Sequence, residues 1–579
     1  MKQLTIGLCL SLLILGCAKS EQNKQAAEQP PANKQPAAEK TDQVKDKPPP
    51  VGLQDSITIS RETTRIMEPL DDAGYVNYLQ ALNDRAAQGT TVQNNFEVVV
   101  RQVMTPEIIP EELRSEYFRL LGIPVPDQGA RFYRGFVDFT LKGNTDHQQE
   151  ETLLDEQDRI MAKPWKASEH PAASKWLVAQ EKHLDQLAEG SRREKFYTPY
   201  LASALDEDGP FLSVVSVHMP SIQQQRNVAR GLTIRAQGRI ATGDLDNAWN
   251  DLQAMHRMAR HIGSGVTIIE SLVGIAVDSM AFQAEIHILK SPALTADQCQ
   301  RFFADLMSLP SLPPLTDRID IGERFMGLDA VTALARYVQG KDHLEAMNEL
   351  FKTLKLMGAL SDATPASDSV TLVAFQEDAS KQESKQASGP IDWNAALQVL
   401  NGWYDKLVAA NRLVDTQQRQ AQLKKIEQEL QHLATDATNP ARQLTAMVRD
   451  GSQKMLGKAI GNILVAMLLP APIAVGRAED GATARRAVLQ IGFALNLHAR
   501  ETGMLPGSLV ELAPRYLESI PKDPLSGAPL KYTVKDKSFL LYSVGRNGVD
   551  DQGQTRDDAE QEQVAIQPEW DDITVRVGR

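Results

Sequence analysis

At 579 residues and 42% hydrophobic content, the chain is long enough for two to four domains with sizeable apolar cores. A formal charge of −13 and an isoelectric point near 5.4 exclude a general nucleic-acid binder, because phosphate contacts need a basic surface. Cysteine is scarce, at Cys9, Cys17 and Cys299, so the fold relies on burial rather than on cross-links.

The chain opens on a short apolar run. Lys2 supplies a positive end, and Leu4 to Leu15 is mostly apolar but too short to span a bilayer as a mature helix. Ile14-Leu15-Gly16-Cys17 then closes the run with a small residue before cysteine. This pattern resembles the lipobox of bacterial lipoprotein precursors. The resemblance implies a signal peptide over 1–17, a lipidated Cys17, and anchorage at the cell membrane or the outer membrane after export. Two or three acyl chains, palmitate among them, suffice for stable attachment. Cys9 leaves with the signal peptide, and the mature chain has no internal disulfide.

Residues 18–55 are mostly Gln, Lys, Ala, Glu and Pro, and cannot bury enough surface to offset ordering entropy; they read as a disordered tether. An α-helical domain is expected over 56–360. Ser56-Ile57-Thr58-Ile59-Ser60 alternates like a short strand, and Gly74 to Leu82 reads as a helix presenting Tyr75, Tyr78, Leu79 and Leu82 on one face. The clearest unit is helical from Ile222 to Ile240, turns at Thr242-Gly243-Asp244, and continues as helices over Leu245 to Ile262 and Val266 to Leu289. The hairpin around Gly243 looks like one tetratricopeptide-type unit, with no second copy to make a repeat array. Residues 361–390 read as a loop or linker. A helical segment follows over 391–480, with Trp393 to Leu433 as a long helix or hairpin and Met455 to Gly476 as a buried helix, the alternative being a membrane segment.

From 481 onward the pattern changes. A helix over Ala484 to Arg500 is broken at Gly503-Met504-Leu505-Pro506, and Ser508-Leu509-Val510-Glu511 is a capping-box pattern. Leu530 to Val534 and Phe539 to Val544 read as a β-hairpin, and Ile573 to Val577 as a third strand. With Ile520-Pro521-Lys522-Asp523-Pro524 and Leu541-Tyr542-Ser543-Val544-Gly545-Arg546-Asn547-Gly548 in the same order, this block resembles the globular part of the type II secretion major pseudopilin. The whole chain is similar to uncharacterised exported bacterial lipoproteins with large helical N-terminal regions. The expected fold class is therefore mainly α, a multi-helix body with a small C-terminal α+β pilin-like module of one helix and a three-stranded antiparallel sheet over 481–579.

The pseudopilin family binds calcium in this loop, and the resemblance places ligands at Asn547 and Asp572. This chain adds Asp550, Asp551 and Asp571 nearby, within a stretch that also holds Asp557, Asp558, Glu560, Glu562 and Glu569. Carboxylates with loop carbonyls could supply the six to eight oxygens calcium needs. The stretch reads first as a solvated acidic loop, with a calcium site as the alternative. The N-terminal lipid argues against a filament subunit, because a working pseudopilin needs its hydrophobic helix at its own processed N-terminus.

Signatures of catalysis are absent: there is no His-Glu-x-x-His, Gly-x-Ser-x-Gly or Gly-x-x-x-x-Gly-Lys pattern. His256 and His261 are five apart and lie on different sides of a helix, as surface or core-edge residues rather than a metal pair. Cys299 reads as a buried thiol, and Asp71-Asp72 as acids ahead of a helix start. No catalytic residue and no cofactor other than calcium is expected. The reading is a cell-envelope lipoprotein with a structural or protein-interaction role and an envelope protein partner. A helical peptide- or ligand-binding module and an envelope hydrolase are the alternatives.

Overall fold

A computed structural model describes residues 57–127, 131–141, 143, 147–203, 214–339, 391–436, 453–556, 558 and 570–578. The signal peptide with Cys17, the tether and the 361–390 linker lie outside the described residues, as do Asp557, Glu560, Glu562 and Glu569.

Polar caps and turns set the first elements. Asp71 accepts hydrogen bonds from the amides of Ala73 and Tyr75, and Asn77 caps the amide of Gln80, so helix α1 starts at Tyr78 (Tyr78–Ala86) rather than at Gly74. The alternation at 57–60 makes no strand. Thr58 donates its amide to Asn394, and the chain turns at Ser60–Thr64, burying Ile57 from a loop. Helices α2 (Phe96–Val103), α3 (Glu111–Leu121), α4 (Phe136–Leu141), α5 (His147–Ala162) and α6 (Pro171–Gly190) follow, then a two-residue ladder of β1 (Leu201–Ala202) with β2 (Val217–His218).

The centre of the body is the three-helix unit expected from the apolar spacing. Helix α7 (Pro220–Thr242) ends at Gly243, whose φ of +79 closes the turn, and α8 (Leu245–Gly263) returns along it. Helix α9 (Ile268–Lys290) starts with a capping box in which Thr267 and Glu270 satisfy each other's amides. Helices α10 (Ala296–Ser308), α11 (Leu315–Arg318) and α12 (Arg324–Tyr337) complete this part, with a π-helical turn at Ile319–Glu323.

Trp393 to Leu433 is a hairpin of α13 (Trp393–Asn411) and α14 (Thr416–Asp436), and α15 (Gln453–Leu468) packs on α13. The contact is close because Gly457 and Gly461 share one face of α15. A Cβ at Gly457 would lie 2.0 Å from the Asp392 carbonyl oxygen, so only glycine lets these backbones meet. Leu456, Ile460, Leu464 and Val465 are buried there, as expected of a core helix. The one described helix long and apolar enough to cross a membrane is α9, and it is mostly buried within the fold.

Helix α16 (Pro470–Thr502) begins fourteen residues upstream of the expected start, because Pro470 occupies a first-turn position where its missing amide costs nothing. Strands β3 (Lys531–Lys535), β4 (Ser538–Ser543) and β5 (Ile573–Val577) form an antiparallel sheet in the order β3-β4-β5, packed against α16. The fold is thus mainly helical with a C-terminal three-stranded antiparallel sheet. One apolar core runs from α7–α10 through α16 into the sheet, joining Leu252, Phe302, Ile491, Leu541 and Val575; a second holds α1, α12, α13 and α15 together.

Buried charge punctuates the first core. His256 is not at the surface. It is 4% exposed, with Nδ1 at 2.7 Å from Asp278 and Nε2 at 2.8 Å from Glu285, both on α9. Burial alone would depress the imidazole, but the Glu285 and Asp278 carboxylates outweigh it and raise its pKa from 6.5 to about 9. Asp278, also bound by Arg260 at 2.7 Å, is held well below the usual carboxylate range. The folded state therefore keeps a proton that the unfolded chain releases at about 6.5, and its contribution to stability, complete below that value, is lost as the pH rises towards 9. Replacing His256→Gln should cost about 3–5 kcal/mol in acid, because it leaves Glu285 buried without its counter-charge. Denaturant titrations of the parent and His256→Gln from pH 6 to 9 should show the gap between them narrowing as the pH rises.

Candidate metal centre

The pairing of β4 with β5 decides where the acidic loop can close. Ser543 pairs with Ile573, so Asp571 and Asp572, immediately before β5, lie beside Val544-Gly545 at the end of β4. Gly545 has φ +36, and a Cβ there would lie 1.9 Å from Asp571 Oδ1; glycine is what admits the carboxylate. The amides of Arg546 and Asn547 then donate to Asp571 Oδ2 at 2.8 and 3.2 Å.

Asp551 reaches the same point from the loop after Gly548. Its Oδ2 accepts from the Asn547 side chain and from the Asp571 amide at 3.2 and 3.3 Å. Asp572, only 4% exposed, accepts from the Gly553 amide at 2.8 Å through Oδ2. One oxygen from each of Asp551, Asp571 and Asp572 lies within 4.8 Å of the others. The Oδ1 atoms of Asp571 and Asp572 are buried and accept no hydrogen bond. Burial comes first, and repulsion by Asp551, Asp550 and Asp571 adds to it, in pushing the Asp572 pKa up from 3.8 to about 6.

Of the five residues expected to converge, the structure gathers three. Asp550 turns away, accepting from Tyr542 Oη at 2.9 Å and from the Gln552 amide at 3.1 Å and pairing with Lys531 at 3.1 Å. Asn547 stands at the rim, with Oδ1 accepting from the Val549 amide at 2.7 Å. Asp558 is engaged by Arg576 at 2.9 Å.

One supporting residue escaped the sequence reading. Asp523, 2% exposed, accepts from Ser543 Oγ at 2.7 Å and from the Val544 amide at 3.2 Å, fixing the end of β4 against which the cluster forms. Its signal was the run Ile520-Pro521-Lys522-Asp523-Pro524 itself, an acid locked between two prolines.

The other ionisable residues weighed from the sequence do not form a reactive group. His261 Nε2 is 2.9 Å from the Ser191 carbonyl oxygen and does not face His256. Cys299 is fully buried, and burial raises its thiol to about 11, away from nucleophilic use. Asp71 is spent on its turn and on Arg336 at 2.6 Å.

Compared with family models, curated proteins and solved structures, the chain matches none.

The carboxylate cluster carries its own pH signature. Asp572 holds a proton to about 6 in the fold but loses it at 3.8 when unfolded, so its contribution to stability is lost as pH rises between those values. With a chelator present, Asp572→Asn should flatten that part of the stability profile and leave the protein more stable than the parent above pH 6. Denaturant melts of both proteins across pH 4–7 check this.

Proposed function

We propose that this chain is an exported lipoprotein, held at the cell envelope through Cys17, that acts as a structural or interaction protein with a calcium-locked, pilin-like C-terminal module. The observation that carries the reading is the convergence of Asp551, Asp571 and Asp572 with two buried oxygens left without donors. Each such oxygen costs free energy in a fold that excludes water, and a hard dication reverses that cost by neutralising carboxylates that otherwise repel. Calcium suits the set better than magnesium, because it tolerates an irregular shell completed by loop carbonyls and water. Bound there, it would tie the loop after β4 to the start of β5 and hold the outer edge of the sheet for a partner.

The lipobox resemblance supports membrane attachment, with the chain from 18 to 55 as the spacer between lipid and body. An envelope protein partner is in keeping with an acidic surface and with the lack of a catalytic signature in the sequence.

Millimolar calcium should raise the melting temperature of the full chain by about 5 °C over chelator, and Asp572→Asn should abolish the shift. Calcium affinity should weaken as the pH falls below about 6, where Asp572 takes up its proton. Equal melting temperatures in calcium and chelator would refute the metal centre. Fractionation tests the anchor separately: Cys17→Ser should move the protein out of the membrane fraction, and its retention there would refute lipid attachment at Cys17.

A further inference from the structure

A cavity of about 580 Å³ opens between the end of α1, the loop after α6, the α8–α9 corner and α11, remote in sequence from the acidic cluster. Its lining reverses the charge of the molecule. In a chain of net charge −13, seven of the lining side chains are Arg or Lys, against two acids, Glu194 and Asp317. Arg192 and Arg260 are compensated, by Glu189 at 2.9 Å and Asp278 at 2.7 Å. Arg85, Arg193, Lys195 and Arg257 form no ion pair among the described residues.

Arg257 is the informative member. It is half-buried on α8, and its Nε donates to Ser191 Oγ at 3.0 Å, a neutral acceptor. Ser191 is itself buried, with its hydroxyl donating to the Ala188 carbonyl at 2.6 Å and its carbonyl contacting His261. The guanidinium is therefore held in place while its terminal nitrogens stay free of carboxylate. Burial first, and Arg192 beside it second, lower the Arg257 pKa to about 10. A guanidinium held by a hydroxyl and crowded by other cations is arranged for an incoming anion, not for its own stability. Phe196, Val266 and Leu309 supply an apolar side to the same cavity.

We propose that this cavity binds a multivalent organic anion, carrying two or more phosphate or carboxylate groups on a body small enough for about 580 Å³. The volume is that of a small-molecule site and far exceeds one inorganic ion. Planar guanidinium forks from two separate parts of the chain, at Arg85 and Arg257, match several oxyanion groups better than one; Arg318 is already engaged by the Gly265 and Pro314 carbonyls. A free anion and an anionic lipid head group present the same chemistry, so the test separates them.

Titration calorimetry on the full chain in a nonionic detergent would use three probes: pyrophosphate, citrate and dioctanoyl phosphatidylglycerol. Saturable one-to-one binding of pyrophosphate or citrate supports a free anion, and binding of the lipid alone supports a head group. In either case the affinity should fall at least about tenfold in the double variant Arg85→Glu/Arg257→Gln. It should be unchanged in Arg301→Gln, whose exposed guanidinium pairs with Asp246 elsewhere. Should the double variant fail to fold, Arg85→Glu alone is read, since that side chain is exposed and unpaired. No saturable binding of any probe, or affinity unmoved in these variants, overturns the proposal.

Discussion

Helix α16 gives little of its circumference to water over its central turns. Val488, Ile491, Phe493, Ala494 and Leu495 are all fully buried, and they point around the helix rather than along one stripe. Gly492 sits where the two halves of the structure meet: a Cβ there would lie 3.0 Å from Leu289 of α9 and 3.4 Å from Val575 of β5. Phe493 packs against Trp249 of α8 with ring centroids 5.8 Å apart, and Arg486 donates to the Pro310 carbonyl beyond α10. The helical body and the sheet each cover a face of one helix that neither could leave exposed. The position of the acidic cluster follows from this, because β5 and the residues preceding it are placed by what β4 and β5 bury on α16.

Much of the charge in the same core is paired between helices. His256 between Asp278 and Glu285, Arg235 with Asp251 at 2.6 Å, and Glu97 bound by Arg101 and Tyr117 each pair buried groups across two or more helices. Such networks add little net stability, but breaking one member is costly, so they fix which helices meet and in what register. Two places instead gather several groups of like charge. The carboxylate cluster leaves oxygens without donors, and the basic cavity leaves guanidinium groups without acids. Opposite in sign, these are two sites where a ligand would supply what the protein does not.

Much of the fold was legible because it rests on local chemistry. The α7–α8 hairpin follows from apolar residues three and four apart and from Gly243; the sheet follows from the apolar run at Phe539–Val544 and the alternation at Ile573–Val577. Ser508 and Glu511 do form a capping box, though on a short 3₁₀ turn. What the sequence withheld depends on distant partners. Ile57 is buried by a loop against α13, not by a strand. His256 looked peripheral because its carboxylates are 22 and 29 residues further on, on another helix. The acidic stretch allowed a solvated loop or a calcium site, and which of its carboxylates converge needed the β4–β5 register and the loop between those strands. In the basic cavity, Arg192, Arg193 and Lys195 form a visible short run, whereas Arg85, Arg257 and Arg318 join it only through the tertiary fold.

Joined through α16, the sheet and the helical body form one cooperative structure, and native-state hydrogen exchange in low denaturant tests this. Amides of α9, of α16 between Val488 and Leu495, and of β4 should exchange through the same opening, with one free energy and one denaturant dependence. Exchange of β4 and β5 through a separate, lower-energy opening, with α9 and α16 still protected, would contradict it.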